Sequence, residues 1–124
     1  GIANWERSQA SALMEQWLEA YPEQIELVIS NNDDMALGAI DAMERIGAEN
    51  IQVVGIDGTV PGIEAVESGK MLGTVSSYKE RFAWAMFSIA ADKAMGQPVR
   101  EELKLVDGKY YRCPQKIVEI EKKN

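Results

Sequence analysis

Ile25-Glu26-Leu27-Val28-Ile29-Ser30 runs into Asn31-Asn32-Asp33-Asp34, and Ile51-Gln52-Val53-Val54-Gly55-Ile56 runs into Asp57-Gly58-Thr59. Each apolar run has the length of a buried strand, and each is followed by a helical pattern. A strand followed by a helix, repeated, builds a mostly parallel sheet of the α/β class. Ligands of such sheets bind outside the carboxyl ends of the strands. Asn32 and Asp57 fall there, with side chains suited to hydrogen-bonding hydroxyls, so the two junctions point to a small polar ligand.

Working outward, the spacing predicts a helix over about 6–21, with Ala10, Leu13, Met14, Trp17, Leu18 and Tyr21 on one stripe and Pro22 as its stop. A second helix is expected at 33–46, facing the sheet with Met35, Ala36, Ala39, Ile40 and Met43, and capped by Gly47. A helix at 61–68 and a strand at 72–76 complete the repeat. From Lys79 to Met95 the pattern is apolar on nearly every side, which calls for burial on more than one face. The segments 102–106 and 109–112 flank Asp107-Gly108 as a hairpin, and 116–120 is a final strand.

The 124 residues make one domain the natural prior, and 46% hydrophobic against 27% charged content is that of a folded domain. The net charge of −7, with no basic stripe, argues against a nucleic-acid partner. The mixed-sign run Glu119–Lys123 reads as a solvated tail, and no apolar stretch is long enough for membrane insertion. The absence of histidine rules out a Ser-His-Asp triad or a histidine-ligated zinc within the chain. Cys113 stands alone between Arg112 and Pro114 and reads as an ordinary, partly buried thiol. No phosphate-binding glycine loop is present, and Asp33 and Asp34 are neighbours on a helix start rather than carboxylates facing across a cleft. The chain is not expected to be an enzyme.

Each candidate site residue also has an ordinary explanation. Asn32 can cap a helix, Asp57 can serve the Asp-Gly turn, Trp5 can staple the first helix, and Ser76 and Ser77 can be loop chemistry. Their convergence on one edge of the sheet favours a site. An aromatic face, a carboxylate and an amide together suit a sugar, whose ring stacks while its hydroxyls are taken in directional pairs.

Ala3-Asn4-Trp5, Val28 to Ile40 (VISNNDDMALGAI), Val54-Gly55-Ile56-Asp57-Gly58, Ser68-Gly69 and Gly73-Thr74-Val75 resemble the type I periplasmic sugar-binding proteins. The galactose/glucose branch is the nearest likeness, through Ala3-Asn4-Trp5, with the ribose branch a near relative. Lactose-repressor-type regulators carry a stretch similar to Asn32–Gly38. The resemblance implies a three-layer α-β-α fold in which two lobes close on a monosaccharide. It implies that Trp5 stacks on the sugar and that Asn32 and Asp57 bind its hydroxyls. Ser77 stands where the family usually has Asn or Gln, which leaves the identity of the sugar open. Glu26 matches one calcium ligand of the galactose/glucose branch. Alone it cannot satisfy an ion that takes about 6–8 oxygens. No cofactor is therefore expected in this chain, and calcium only in a longer protein that supplies the remaining oxygens.

The likeness covers only the later part of the family sequence. It implies that residues 1–77 are the main part of a C-terminal lobe, that 78–112 belong to an N-terminal lobe lying outside this chain, and that 113–124 return to the first lobe. The implied function is capture of a galactose/glucose-like sugar for the permease of an ABC importer. That places the protein in the periplasm, or outside a Gram-positive cell as an anchored lipoprotein. A repressor effector domain and a chemotaxis or sensor receptor are the alternatives. The absent lobe, or a second copy of the chain, is expected to cover helix 79–95.

Overall fold

A computed structural model describes residues 1–120. The tail expected at Glu119–Lys123 lies outside the described residues from position 121 on. The elements run α1 (Arg7–Ala20), β1 (Leu27–Ile29), α2 (Asp33–Ile46), β2 (Gln52–Asp57), α3 (Val60–Glu67), β3 (Gly73–Ser77), α4 (Lys79–Ala94) and β4 (Gln115–Glu119). The strands lie in the order β1-β2-β3-β4. β1 and β2 are parallel with Val28 opposite Val53, and β2 and β3 are parallel with Gly55 opposite Thr74. The α/β class with a mostly parallel sheet is the one expected from the repeated junctions.

Two compact units are present: residues 1–76 with the stretch from Ile117 onward, and Ser77–Lys116. In the first, the core joins Met14 of α1, Ala36 to Met43 of α2, Val53 of β2, Ala65 and Val66 of α3, and Met71. Helix α2 begins and ends where its local signals put it. The Asn32 side chain accepts from the Met35 N–H at 2.8 Å, and Gly47 closes the helix in the left-handed region at φ 76°. α1 packs along α2 at a small-residue contact. A Cβ on Gly38 would run into the backbone carbonyl of Arg7. Two ion pairs span this contact, Arg7 with Asp41 at 2.7 Å and Arg45 with Glu15.

Three expectations need correction. β1 is not buried on both faces: Leu27 and Ile29 are 49% and 73% exposed, while Val28 between them packs against the core. Successive strand residues point to opposite faces, and the helical core of this unit meets only the Val28 and Val53 face. Tyr21 leaves the buried stripe of α1 because the chain departs from helical geometry at that residue, with φ −132° and ψ 61°. The hairpin at 102–112 reduces to one antiparallel bridge, Val106 to Tyr110, around a turn with Asp107 and Gly108 at φ 53° and 65°. The turn residues form as expected. The flanking segments are too polar to pair further, and Glu101–Leu103 coils into a 3-10 turn.

The second unit is built on α4. Ala85, Ser88 and Asp92 are its buried positions. Arg100 donates its backbone N–H, Nε and Nη2 to the Asp92 carboxylate at 3.1, 3.0 and 2.7 Å. Its guanidinium lies 6.0 Å from the Trp84 ring centre. That hydrogen bonding holds the Asp92 carboxyl below its ordinary range and raises the Arg100 guanidinium above its own.

Candidate functional site

One side chain ties the segments that follow β1 and β2 to the start of β3. Asp33, the first residue of α2, is fully buried. Its Oδ2 accepts from the Thr59 N–H at 2.7 Å and from the Thr59 hydroxyl at 3.0 Å, and its Oδ1 accepts from the Thr74 hydroxyl at 2.6 Å. The Gly58 N–H in turn donates to the Thr74 oxygen at 3.3 Å. A Cβ on Gly55 or on Gly62 would collide with the Asp33 carboxylate, so both glycines leave the room it occupies. Thr59 also starts α3, accepting from the Gly62 N–H at 3.2 Å.

Around this knot stand the residues singled out by sequence. Asn32 directly precedes Asp33 and is half-buried. Its carbonyl oxygen caps α2, so the bland reading of that atom holds, and the amide N–H groups are what it offers a ligand. Asp57 ends β2 opposite Ser76, is exposed, and has φ 116°. An aspartate there sits outside the regions open to L-residues, at a cost of about 1–3 kcal/mol. Gly58 follows at φ 62°, and a Cβ on it would meet the Ser76 side chain. Ser77 is the last residue of β3 and the first of the second unit.

Trp5 lies before α1 in a turn closed by the Glu6 N–H to the Ala3 carbonyl at 2.8 Å. The two central residues, Asn4 and Trp5, are left-handed at φ 48° and 66°. The Asn4 side-chain amide steadies the turn by donating to Oε1 of the Gln9 side chain at 2.8 Å. Tryptophan is a strained occupant of that region. Trp5 is 63% exposed, and with Ser30, Asn31, Met35 and Ala10 it lines a cleft of about 360 Å³. Trp5 and Ala10, four residues into α1, hold the two sequence positions of a staple and line the same cleft, yet Trp5 stays nearly two thirds exposed. The structure thus sets Asp57 opposite Ser76 and Trp5 in a cleft with Ser30 and Asn31.

Sequence reasoning missed Asp33, Thr59 and Thr74 by treating the acid as a helix-start charge. A threonine inside an apolar strand was the available signal, because a buried hydroxyl needs a partner. Among the described residues no group of three or more acidic, cysteine or histidine side chains could hold a metal, and Glu26 is exposed at the start of the β1 pairing. Cys113 is a free, partly buried thiol.

A family described as a periplasmic binding protein domain matches residues 1–98. The chain is 43% identical to a xylitol-binding protein of Mycolicibacterium smegmatis over 58% of its length and 21% of that protein. It is 35% identical to the ribose import binding protein of Escherichia coli K12 over 84% of its length and 36% of that protein. Among solved structures it is similar to an ABC transporter periplasmic solute binding protein from Actinobacillus succinogenes with bound D-allose. The TM-score is 0.80 at 30% identity, over 94% of this chain and 39% of that one. The chain therefore spans only about a fifth to two fifths of the proteins it matches.

Proposed function

This chain belongs to the periplasmic binding protein family, and on that premise we propose that it is part of a solute-binding protein that captures a monosaccharide or related polyol for an ABC importer. Binding occurs without chemistry. The observation that carries the reading is the strained backbone at Trp5 and Asp57, φ 66° and 116°, at the two positions offering an aromatic face and a carboxylate. Such strain persists where a site is held ready for a ligand. The relatives named for ribose, xylitol and D-allose support the ligand class, since each is a small polyhydroxylated molecule. Within it we assign a galactose/glucose-like pyranose, on the strength of Ala3-Asn4-Trp5. Trp5 stacks on the ring, Asn32 donates through its amide, Asp57 accepts from hydroxyls, and Ser77 is the fourth proposed position.

The whole protein works in the periplasm, or outside the cell on a lipid anchor, and meets the permease there. Among the described residues no helix is long and apolar enough to cross a membrane. Residues 78–112 belong to an N-terminal lobe supplied by further chain, that lobe or a second copy covers α4, and calcium enters only with the further chain. Calorimetry on the full-length protein with D-galactose, D-glucose, D-ribose, D-allose and xylitol tests the reading. Heat from at least one of them is expected. Asp57→Ala is expected to cost about 1.5–3 kcal/mol per lost charged hydrogen bond, against about 0.5–1.5 for Ser77→Ala. No heat from any sugar, or normal binding by Asp57→Ala, defeats it.

A further inference from the structure

The carboxylate of Asp33 has no surface exposed, yet it accepts three hydrogen bonds from two other segments of the chain. Its donors lie 26 and 41 residues away. Each segment it joins carries a proposed ligand residue within three positions along the chain. Asn32 precedes Asp33 itself, Asp57 lies two residues before Thr59, and Ser76 and Ser77 follow Thr74. Two backbone N–H groups of the corner Asp57-Gly58-Thr59 are gripped, that of Thr59 by Asp33 directly and that of Gly58 through the Thr74 hydroxyl. Those two bonds immediately follow the residue held at φ 116°.

We propose that Asp33 is a positioning residue for the ligand site, its buried carboxylate fixing the Asp57 corner in its strained, binding-ready conformation through Thr59 and Thr74. The proposal rests on the sugar-binding reading for its affinity consequence and on the hydrogen-bond geometry alone for its conformational one. A strained backbone survives only where its surroundings over-determine it. A carboxylate is the group that can accept from a backbone N–H and two hydroxyls at once. An asparagine there fills nearly the same volume but must turn a donor toward Thr59 or Thr74. Gly55 and Gly62 supply the space, which makes a side chain at either position a second way to displace the carboxylate.

The test uses the full-length protein with Asp33→Asn, Thr74→Val and Thr74→Ser. The first measurement needs no ligand: amide hydrogen exchange at Gly58 and Thr59 against Val53 and Ile40 as core references. Asp33→Asn and Thr74→Val are expected to speed exchange at 58 and 59 and leave the core amides unchanged, while Thr74→Ser, which keeps the hydroxyl, behaves as wild type. The second is Kd, well below Tm, for whichever of D-ribose, D-allose, D-galactose and D-glucose binds wild type most tightly. Loss of one charge-assisted bond is expected to weaken it by about tenfold or more. A role in fold stability alone would lower Tm without moving Kd in a folded sample. Unchanged exchange at 58 and 59 in folded Asp33→Asn overturns the proposal, as does wild-type Kd with the corner loosened. Should Asp33→Asn fail to fold, Thr74→Val against Thr74→Ser decides by the same two readouts. If wild type binds none of the sugars while exchange at the corner responds as expected, the clamp stands and the sugar reading falls.

Discussion

Helix α2 buries eight of its fourteen residues, whereas α4 buries three of its sixteen and leaves Phe82, Trp84, Met86 and Phe87 between 44% and 74% exposed. Both carry apolar residues around much of their circumference. The difference lies in what surrounds them. Around α2 small residues, Ala36, Gly38, Ala39 and Ala42, and large ones, Leu37, Ile40 and Met43, are buried together, because α1 and the sheet approach from two sides. Around α4 large residues are interleaved with alanines, and the unit Ser77–Lys116 is secured by the Asp92–Arg100 bonds and buried Leu103 instead of by a broad core. Apolar residues all round a helix state how much burial it requires. In α2 the enclosing elements meet that requirement, and in α4 the large residues left exposed mark a surface that still wants a partner.

The comparison can be sharpened first on the α2 side. Met14→Ala removes a side chain only 1% exposed, wedged between α1 and α2. It should destabilise the chain by about 2–5 kcal/mol in a denaturant titration, the range for truncating a buried methionine. Less than about 1 kcal/mol there would mean that the α1 and α2 contact is no better packed than the face of α4. Gly38→Ala comes next, at about 1–3 kcal/mol, because the new methyl meets the backbone of Arg7, which cannot swing away. The sign opposes helix propensity, which favours alanine over glycine by about 1 kcal/mol.

Acid should loosen both regions through different pairs. Asp92 in α4 and Asp41 in α2 are each held below the ordinary carboxylate value of 3.8, first by hydrogen bonds from Arg100 and Arg7 respectively. A carboxylate depressed in the folded state lends stability that is complete above its unfolded value and is lost as pH falls through the folded one. Tm measured from pH 6 down to pH 2 should therefore fall below about pH 4. Asp92→Asn and Asp41→Asn should each flatten that fall. For Asp41 the pair is largely solvated, and its contribution is about 0–1 kcal/mol.

The smallest expected effect is at Phe87→Ala, a side chain 74% exposed. In this chain the change in stability should stay within about 0.5 kcal/mol. In the full-length protein, where the proposed lobe covers α4, it should rise to about 3–5 kcal/mol. Equal values in the two proteins would break the assignment of residues 78–112 to a further lobe.

Much of the architecture was legible in the local signals. Pro22 after α1, Asn32 and Gly47 around α2, and Gly69 after α3 mark ends that the structure keeps within a residue or two. Asn32, Asp57 and Ser77 could be nominated because the carboxyl ends of parallel strands are where ligands gather, and Trp5 because its loop before α1 resembles that of the sugar-binding family. The strain at Trp5 and Asp57 could not be read, since φ at a tryptophan or aspartate is imposed by contacts and not by the residue type. The side of β1 that would meet the core was equally hidden: Leu27-Val28-Ile29 is apolar throughout, so the alternation that distinguishes faces is missing from its letters.

From its order of residues alone the chain specified the alternation of strands and helices, the places where helices start and stop, and an edge of polar side chains suited to hydroxyls. Each is settled by neighbours within a few positions, through periodicity, capping and the turn residues. Tertiary structure alone decided that Gly38 lets α1 reach α2 and that Val28, not Ile29, faces the core. It also decided that Asp33 meets hydroxyls 26 and 41 residues away. The reason is physical: a buried carboxylate and an apolar face are defined by what closes over them, and that is brought in from distant parts of the chain.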